Sequence, residues 1–305
     1  MIEDVLSWER FEKNSDLTLT VLPKKVELYN RLVAHTDNFF AISAIGNFSL
    51  GYLLIVTKKL IPSFSSIEEN HFNEMNWFIK QISKAVEKTY DRKVVIFEHG
   101  MCACVGGLDR AHLHLMTVDK KANNEDFIFS INKVLEKRKV GIEYIEYEGV
   151  KLENIHDINE VLNSPEKHKY KIFGKQLTID NIKNLDFNKW PSVAKNHSLK
   201  GGHYVYFFSG DQLSSFLTTN NFATQFGREV IFEVEIIKNK TFKDFKNKEI
   251  EKNSYANIWK WQEFPFNENV LKTMKDVRPA LIEIEKSQSK ESKKFNFKTF
   301  KNSIV

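Results

Sequence analysis

His112 and His114 stand two residues apart in the run Asp109-Arg110-Ala111-His112-Leu113-His114-Leu115. On an extended chain alternate residues share a face, so the two imidazoles project side by side, about 7 Å apart along the backbone. Leu113 and Leu115 then face the other way, toward a core. Neutral imidazole is a good nucleophile near physiological pH. Its attack on an α-phosphate would give a covalent nucleotidyl-histidine and divide one hard displacement into two easier ones. A protonated second imidazole would offset the charge building on the phosphate oxygens. A bare His-x-His pair also serves as a metal half-site or as two hydrogen-bonded core residues. Cys102 and Cys104 add the ligand types of a four-ligand zinc site. However, Cys-x-Cys is not the usual spacing, and zinc would occupy the nucleophile. No metal and no resident cofactor is therefore expected. Phosphate-loop, serine-elbow and dinucleotide motifs are absent, and Gly106-Gly107 alone carries no such signal.

The pair needs a strand, and Arg110 to Val118 reads as one. Leu17 to Leu22 alternates and predicts another strand. Asn38 to Ser43 and Tyr52 to Val56 predict two antiparallel strands joined by the loop Ala44 to Gly51. Ser66 with Glu69 three residues on reads as a capping box. It opens a helix whose stripe is Met75, Phe78, Ile79, Ile82, Ala85 and Val86. Lys93 to Phe97 predicts a strand closed by Glu98-His99-Gly100. Further on, helices are expected at Asp126 to Glu136, at Asn220 to Val234, and at Asn267 to Glu285 with Pro279 as a kink or break. Strands are expected at Gly141 to Tyr147 and Gly202 to Phe208. The fold class is α+β, an antiparallel sheet of about five strands with the helix packed on it. Expected boundaries are a core over 1–118, an insertion or connecting subdomain over 119–200, a C-terminal α+β extension over 201–285, and a solvated basic tail over 286–305.

These residues resemble the histidine triad (HIT-like) superfamily, whose mark is His-φ-His-φ-His-φ-φ on a strand, φ being apolar. Many bacterial members have Asp-His-Ala-His-Leu-His-Leu-Val-Pro there; this chain has Asp109 through Thr117. In that register Arg110 takes the first histidine's place, His112 the middle, nucleophilic place and His114 the third. Thr117 stands where proline is usual. A second register makes His112 first, His114 middle and Met116 third. It is similar to the galactose-1-phosphate uridylyltransferase branch, but only the first register also matches Asp109 and Ala111. Ile45 through Lys58 resembles the family's strand-loop-strand, whose loop lies against the nucleoside. Phe97-Glu98-His99-Gly100 resembles the Phe-Glu-His-Gly of longer bacterial members. Gln225-Phe226-Gly227-Arg228 and Trp259-Lys260-Trp261 resemble segments that follow the core in them.

The resemblance implies a nucleotide-conjugate hydrolase or nucleotidyltransferase with His112 and His114 as catalytic residues. Arg110, His99, Asn47 and Ser49 become candidate contacts to phosphate or substrate. The family nucleophile is oriented chiefly by a backbone carbonyl, so losing the first histidine leaves it intact. Arg110 brings a forked donor suited to phosphate, or it pairs with Asp109 or Glu98 structurally. The family's acidic ribose-binding position has no clear counterpart in the first loop. An alternative reading is a nucleotide sensor with weak or no turnover. The expected partners are a nucleotide or dinucleotide and, from the family, a second copy in a homodimer.

Composition is that of an ordinary soluble globular protein able to bury a core. Hydrophobic residues make up 42% and charged residues 28%, and the formal net charge is +5. That mild excess suits a phosphate-bearing small ligand better than nucleic acid, which is not expected as a partner. Cys102 and Cys104 are too close in an extended segment for ordinary disulfide geometry, which points to a reducing compartment. With no leader-like start and no long apolar run, a cytoplasmic location without membrane association is the expectation.

Overall fold

The computed structural model describes residues 6–13, 17–21, 24–28, 30–61, 63–100, 110–138, 143–145, 170–172, 203–209, 213–219, 225–238, 267–287 and 295–300. Cys102, Cys104, Gly106-Gly107, Asp109 and Trp259-Lys260-Trp261 lie outside them, as does most of the 151–199 stretch.

Alternating apolar residues build an antiparallel sheet. After a short helix α1 (Trp8–Glu12) and a separate hairpin of β1 (Leu17–Val21) and β2 (Lys24–Leu28), the chain enters it. Its first strands are β3 (Leu32–His35), β4 (Phe39–Ser43) and β5 (Leu53–Thr57). Helix α2 (Phe72–Tyr90) follows, then β6 (Lys93–Gly100), β7 (His112–Val118) and α3 (Asn124–Arg138). Short strands β8 (Glu143–Ile145) and β9 (Tyr170–Ile172) precede β10 (His203–Ser209), β11 (Leu213–Thr219), α4 (Phe226–Lys238), α5 (Asn267–Ser287) and β12 (Lys298–Thr299). The ten strands described run in the order β12-β3-β4-β5-β7-β6-β10-β11-β8-β9, every neighbour antiparallel. The fold is α+β, as the sequence predicts, but the sheet is wider than expected.

Helices cover both faces. On one, Met75, Phe78 and Ile82 of α2 and Met274, Val277 and Leu281 of α5 pack on Leu53, Ile55, Ile96, Leu113 and Leu115. On the other, Phe127 and Ile131 of α3 and Phe226, Val230 and Ile231 of α4 pack on Val95, Phe97, Met116 and Val118. Beyond them on that second face, Leu6 and Phe11 cover Phe40, Ile42 and Val56. Strand β7 lies between β5 and β6 and is apolar except at Thr117 on one face and at the two histidines on the other, which share parity with Met116 and Val118.

Three expectations are corrected. The predicted capping box does not start α2: Ser66 ends a 3₁₀ turn, Phe64–Ser66, and the helix begins at Phe72. Phe64 and Ile67 are buried, so this segment packs as a connector. The helix start is fixed by Glu74, which accepts from Asn38 N at 2.9 Å and Asn38 Nδ2 at 2.6 Å. The segment after 286 is not simply a solvated tail: Phe297 is buried against Phe78 and Trp77, and β12 pairs with β3. Its aromatic residues outweigh its lysines. Pro279 does not break α5, which runs on through it, and it lies on the exposed side of the helix, where a carbonyl left without its donor is open to solvent.

Helices α3 and α4 are tied by charge. Lys137 meets Glu229 at 2.6 Å, Lys238 meets Asp126 at 3.0 Å, and Lys133 pairs with Glu233. Glu235, fully buried, takes Arg92 Nη2 at 2.5 Å and Asp119 N at 2.8 Å. Burial pushes its carboxyl up and Arg92 opposes that. Arg92→Met should therefore cost about 3 kcal/mol, the usual consequence of stranding a buried charge. A folded-state pKa raised above the unfolded value means stability is lost as pH rises. The deficit in urea unfolding should accordingly be small near pH 4 and largest above neutrality.

Candidate functional site

The register brings the site together. His112 lies opposite Val56 of β5, and His114 lies between Leu54 of β5 and Phe97 of β6. Both rings are thus on the face carrying α4, where the α3/α4 cluster meets the α1 cluster. Their centroids are 4.9 Å apart, with the planes tilted by 60°.

His112 is buried and oriented by its own strand. Its Nδ1 is 2.7 Å from the carbonyl oxygen of Arg110, two residues back. A carbonyl only accepts, so Nδ1 carries the proton and Nε2 is the basic nitrogen. The backbone entering β7 therefore sets the tautomer.

His114 is half-buried and held by side chains. Phe97 stacks on it at 4.3 Å between centroids and 3° between planes. Tyr52 Oη meets its Nδ1 at 2.5 Å. Arg228, at the start of α4, reaches the same phenol from Nη1 at 3.4 Å. Desolvation holds the His114 imidazole well below the ordinary histidine value, and His112, Arg228 and His99 add repulsion. This direction runs against the expectation of a protonated second imidazole: loss of water first, and nearby positive charge second, favour the neutral ring.

The remaining sequence candidates divide. His99 follows Phe97 by two residues on β6, sharing its face, and is close enough to influence His114. It joins the cluster. Arg110 is buried, and its Nη1 donates to the carbonyls of Thr57 at 2.9 Å and Lys58 at 3.1 Å. It ties the entry of β7 to the end of β5, which is the carbonyl-bearing segment that orients His112. Asn47 and Ser49 belong to the framework. Asn47 Nδ2 donates to Thr273 Oγ1 at 3.1 Å on α5, and Asn269 Nδ2 returns a bond to Asn47 O at 2.9 Å. Ser49 Oγ donates to Thr117 O at 2.8 Å. Both fix the loop before β5 instead of presenting a polar group beside the histidines.

Three contributors were missed at the sequence level: Tyr52, Phe97 and Arg228. Phe97 was findable once the β6–β7 register was known. Tyr52 sits one residue before β5 and carries no local signal. Arg228 belongs to a noted segment but is far away in sequence, and only the return of the chain as β10 and α4 brings it in. Next to it, Gly227 meets the Phe97 ring so closely that an added Cβ would lie 2.3 Å from Phe97 Cε2.

Among the described residues no group of three or more His, Cys, Asp or Glu side chains is set to hold a metal, and no helix is long and apolar enough to cross a membrane. No family model matches the chain, and no curated protein matches it. Seven chains of solved structures do. One is a Hit-like protein involved in cell-cycle regulation from Bartonella henselae, crystallised with an unknown ligand. The two are 18% identical; the match covers 30% of this chain and 70% of that one, with a TM-score of 0.27.

Proposed function

We propose that this chain is a nucleotide-conjugate hydrolase or nucleotidyltransferase acting at an α-phosphate through a covalent nucleotidyl-His112. The observation that carries the reading is the Arg110 carbonyl on His112 Nδ1, which leaves Nε2 as the nucleophilic nitrogen. The motif resemblance of Arg110 to Leu115, with Phe97 to Gly100 on the neighbouring strand, supports it. So does the orientation by a backbone carbonyl, which the resemblance implies for the middle histidine and which favours the first register. In the second register Met116 would take part, yet it lies in the α3/α4 core.

The chemistry balances in two displacements. The Nε2 lone pair forms a bond to phosphorus while the bond to the leaving group breaks, and that group departs with the electron pair and takes up a proton. The positive charge on the imidazole is offset by the Nδ1–H bond to the Arg110 carbonyl. An acceptor oxygen, from water or phosphate, then displaces Nε2, loses its proton and returns the lone pair. His114 beside it donates to a phosphate oxygen.

A sensor with little turnover is the second reading. The burial of His112 and the commitment of Arg110 to backbone carbonyls favour it. A panel of nucleoside phosphoramidates, dinucleoside polyphosphates and nucleoside diphosphate sugars separates the two. The proposal expects release of a nucleoside monophosphate, or its transfer to phosphate, from at least one class. Saturable binding with no release from any class supports the sensor instead.

A further inference from the structure

We infer that Arg228 and Tyr52 are positioning residues that hold His114 as the neutral tautomer with its proton on Nε2, a fixed hydrogen-bond donor beside His112. The catalytic consequence rests on the proposed function; the geometry does not.

A guanidinium can only donate. Arg228 Nη1 is 3.4 Å from Tyr52 Oη, so the phenol oxygen accepts there. The single phenol proton is then directed to His114 Nδ1, 2.5 Å away. Nδ1 becomes an acceptor, and the ring proton sits on Nε2. Arg228 is itself locked in place. Nη1 also donates to Ile45 O at 3.1 Å and Nη2 to Gly46 O at 2.5 Å, and its charge lies over the rings of Phe48 and Tyr52. Only 3% of it is exposed. The titratable groups facing His114 are His112 on β7, His99 on β6, Tyr52 before β5 and Arg228 on α4. Among the described residues none of these is a carboxylic acid, and the charges of His112, Arg228 and His99 all oppose protonation of His114. The stacked Phe97 ring keeps the imidazole from turning over to exchange its two nitrogens.

The pair of histidines is thereby made unequal by two different devices. A backbone carbonyl puts the proton on Nδ1 of His112, and a side-chain relay puts it on Nε2 of His114. One ring offers a lone pair and its neighbour offers an N–H, without a net charge on either. A cationic donor would lose its proton as pH rises through its pKa, and the rate would fall with it. A neutral donor keeps its proton across that range, so the rate holds.

Imidazole ¹⁵N–¹H correlation spectra of the full chain, with His114→Gln to assign the signals, test this. In the wild type His114 should show a protonated Nε2 and a bare Nδ1, with no titration where an ordinary histidine titrates. Tyr52→Phe, which keeps the ring and the fold, should mix the tautomers. Arg228→Lys, which shortens the relay but keeps a cation, should do so to a smaller degree. Tyr52→Phe should also lower kcat about tenfold with KM within about twofold. A wild-type signal with the proton on Nδ1, titration near the ordinary histidine value, or an unchanged tautomer in Tyr52→Phe would overturn the inference. If the wild type releases nucleotide from no conjugate while the spectra show the Nε2–H form and its loss in Tyr52→Phe, the proposed function fails and the tautomer assignment stands.

Discussion

Replacing His112 by alanine is expected to lower turnover of a nucleotide conjugate about ten-thousandfold or more, with little change in KM. The nucleophile takes part only in bond making, so its loss appears in kcat, and each factor of ten is about 1.4 kcal/mol of barrier. The side chain is also buried, with a bond to the Arg110 carbonyl. Its removal leaves a small cavity and a carbonyl short of one donor, which should cost about 1–3 kcal/mol. The strand itself survives, because Leu113 and Leu115 still fill the α2 face. His112→Ala should therefore fold, with a lower midpoint in urea, and bind nucleotide. His114→Gln should be milder, since glutamine retains an N–H donor. A variant pair with the reverse ranking, His112→Ala active and His114→Ala dead, would support the second register.

Gly227→Ala is expected to damage both stability and turnover. Its Cβ would lie 2.3 Å from Phe97 Cε2, well inside contact distance. Something must move, and the ring that moves is the one stacked on His114. Overpacking of this kind costs about 1–3 kcal/mol. The displacement is transmitted to the imidazole, so kcat should fall about tenfold as well, consistent with a misplacement of a fraction of an ångström. Gly227→Ala combined with Phe97→Leu separates the two effects. The smaller side chain makes room, so the urea midpoint should recover relative to Gly227→Ala alone. The stacking on His114 is gone, so kcat should not. Recovery of both would show that Phe97 only packs.

The two imidazoles on one face were legible because strand alternation is local: His-x-His with leucines between them needs only an extended backbone. The α2 stripe and the β4–β5 hairpin were legible for the same reason. The start of α2 was not. Ser66 and Glu69 have the right spacing, but burial of Phe64 and Ile67 held that segment as a connector. Strand β12 was hidden in a lysine-rich stretch whose Phe297 finds an aromatic pocket made by α2. The roles of Asn47, Ser49 and Arg110 were not legible either. Polar residues near a site look alike in sequence whether they hold a ligand or hold the backbone. Here Asn47 and Ser49 reach Thr273 and Thr117, and Arg110 reaches the carbonyls ending β5. The His114 imidazole is shifted first by burial, then by His112 and by Arg228, which is distant in sequence and adjacent only through the sheet.

Arg110 is a supporting residue, bonded to the carbonyls of Thr57 and Lys58. It fixes the peptide whose carbonyl orients His112, and its substitution should loosen that orientation without removing the nucleophile.

The central claim is a covalent bond between His112 and an α-phosphate. Its most direct measurement is a rapid quench into base of the wild-type protein mixed with a nucleoside phosphoramidate, followed by peptide fragmentation in a mass spectrometer. One nucleoside monophosphate mass is expected on His112, lost on acid treatment and absent from His112→Ala. The same mass on His114, or nucleotide release at full rate from His112→Ala, would contradict it.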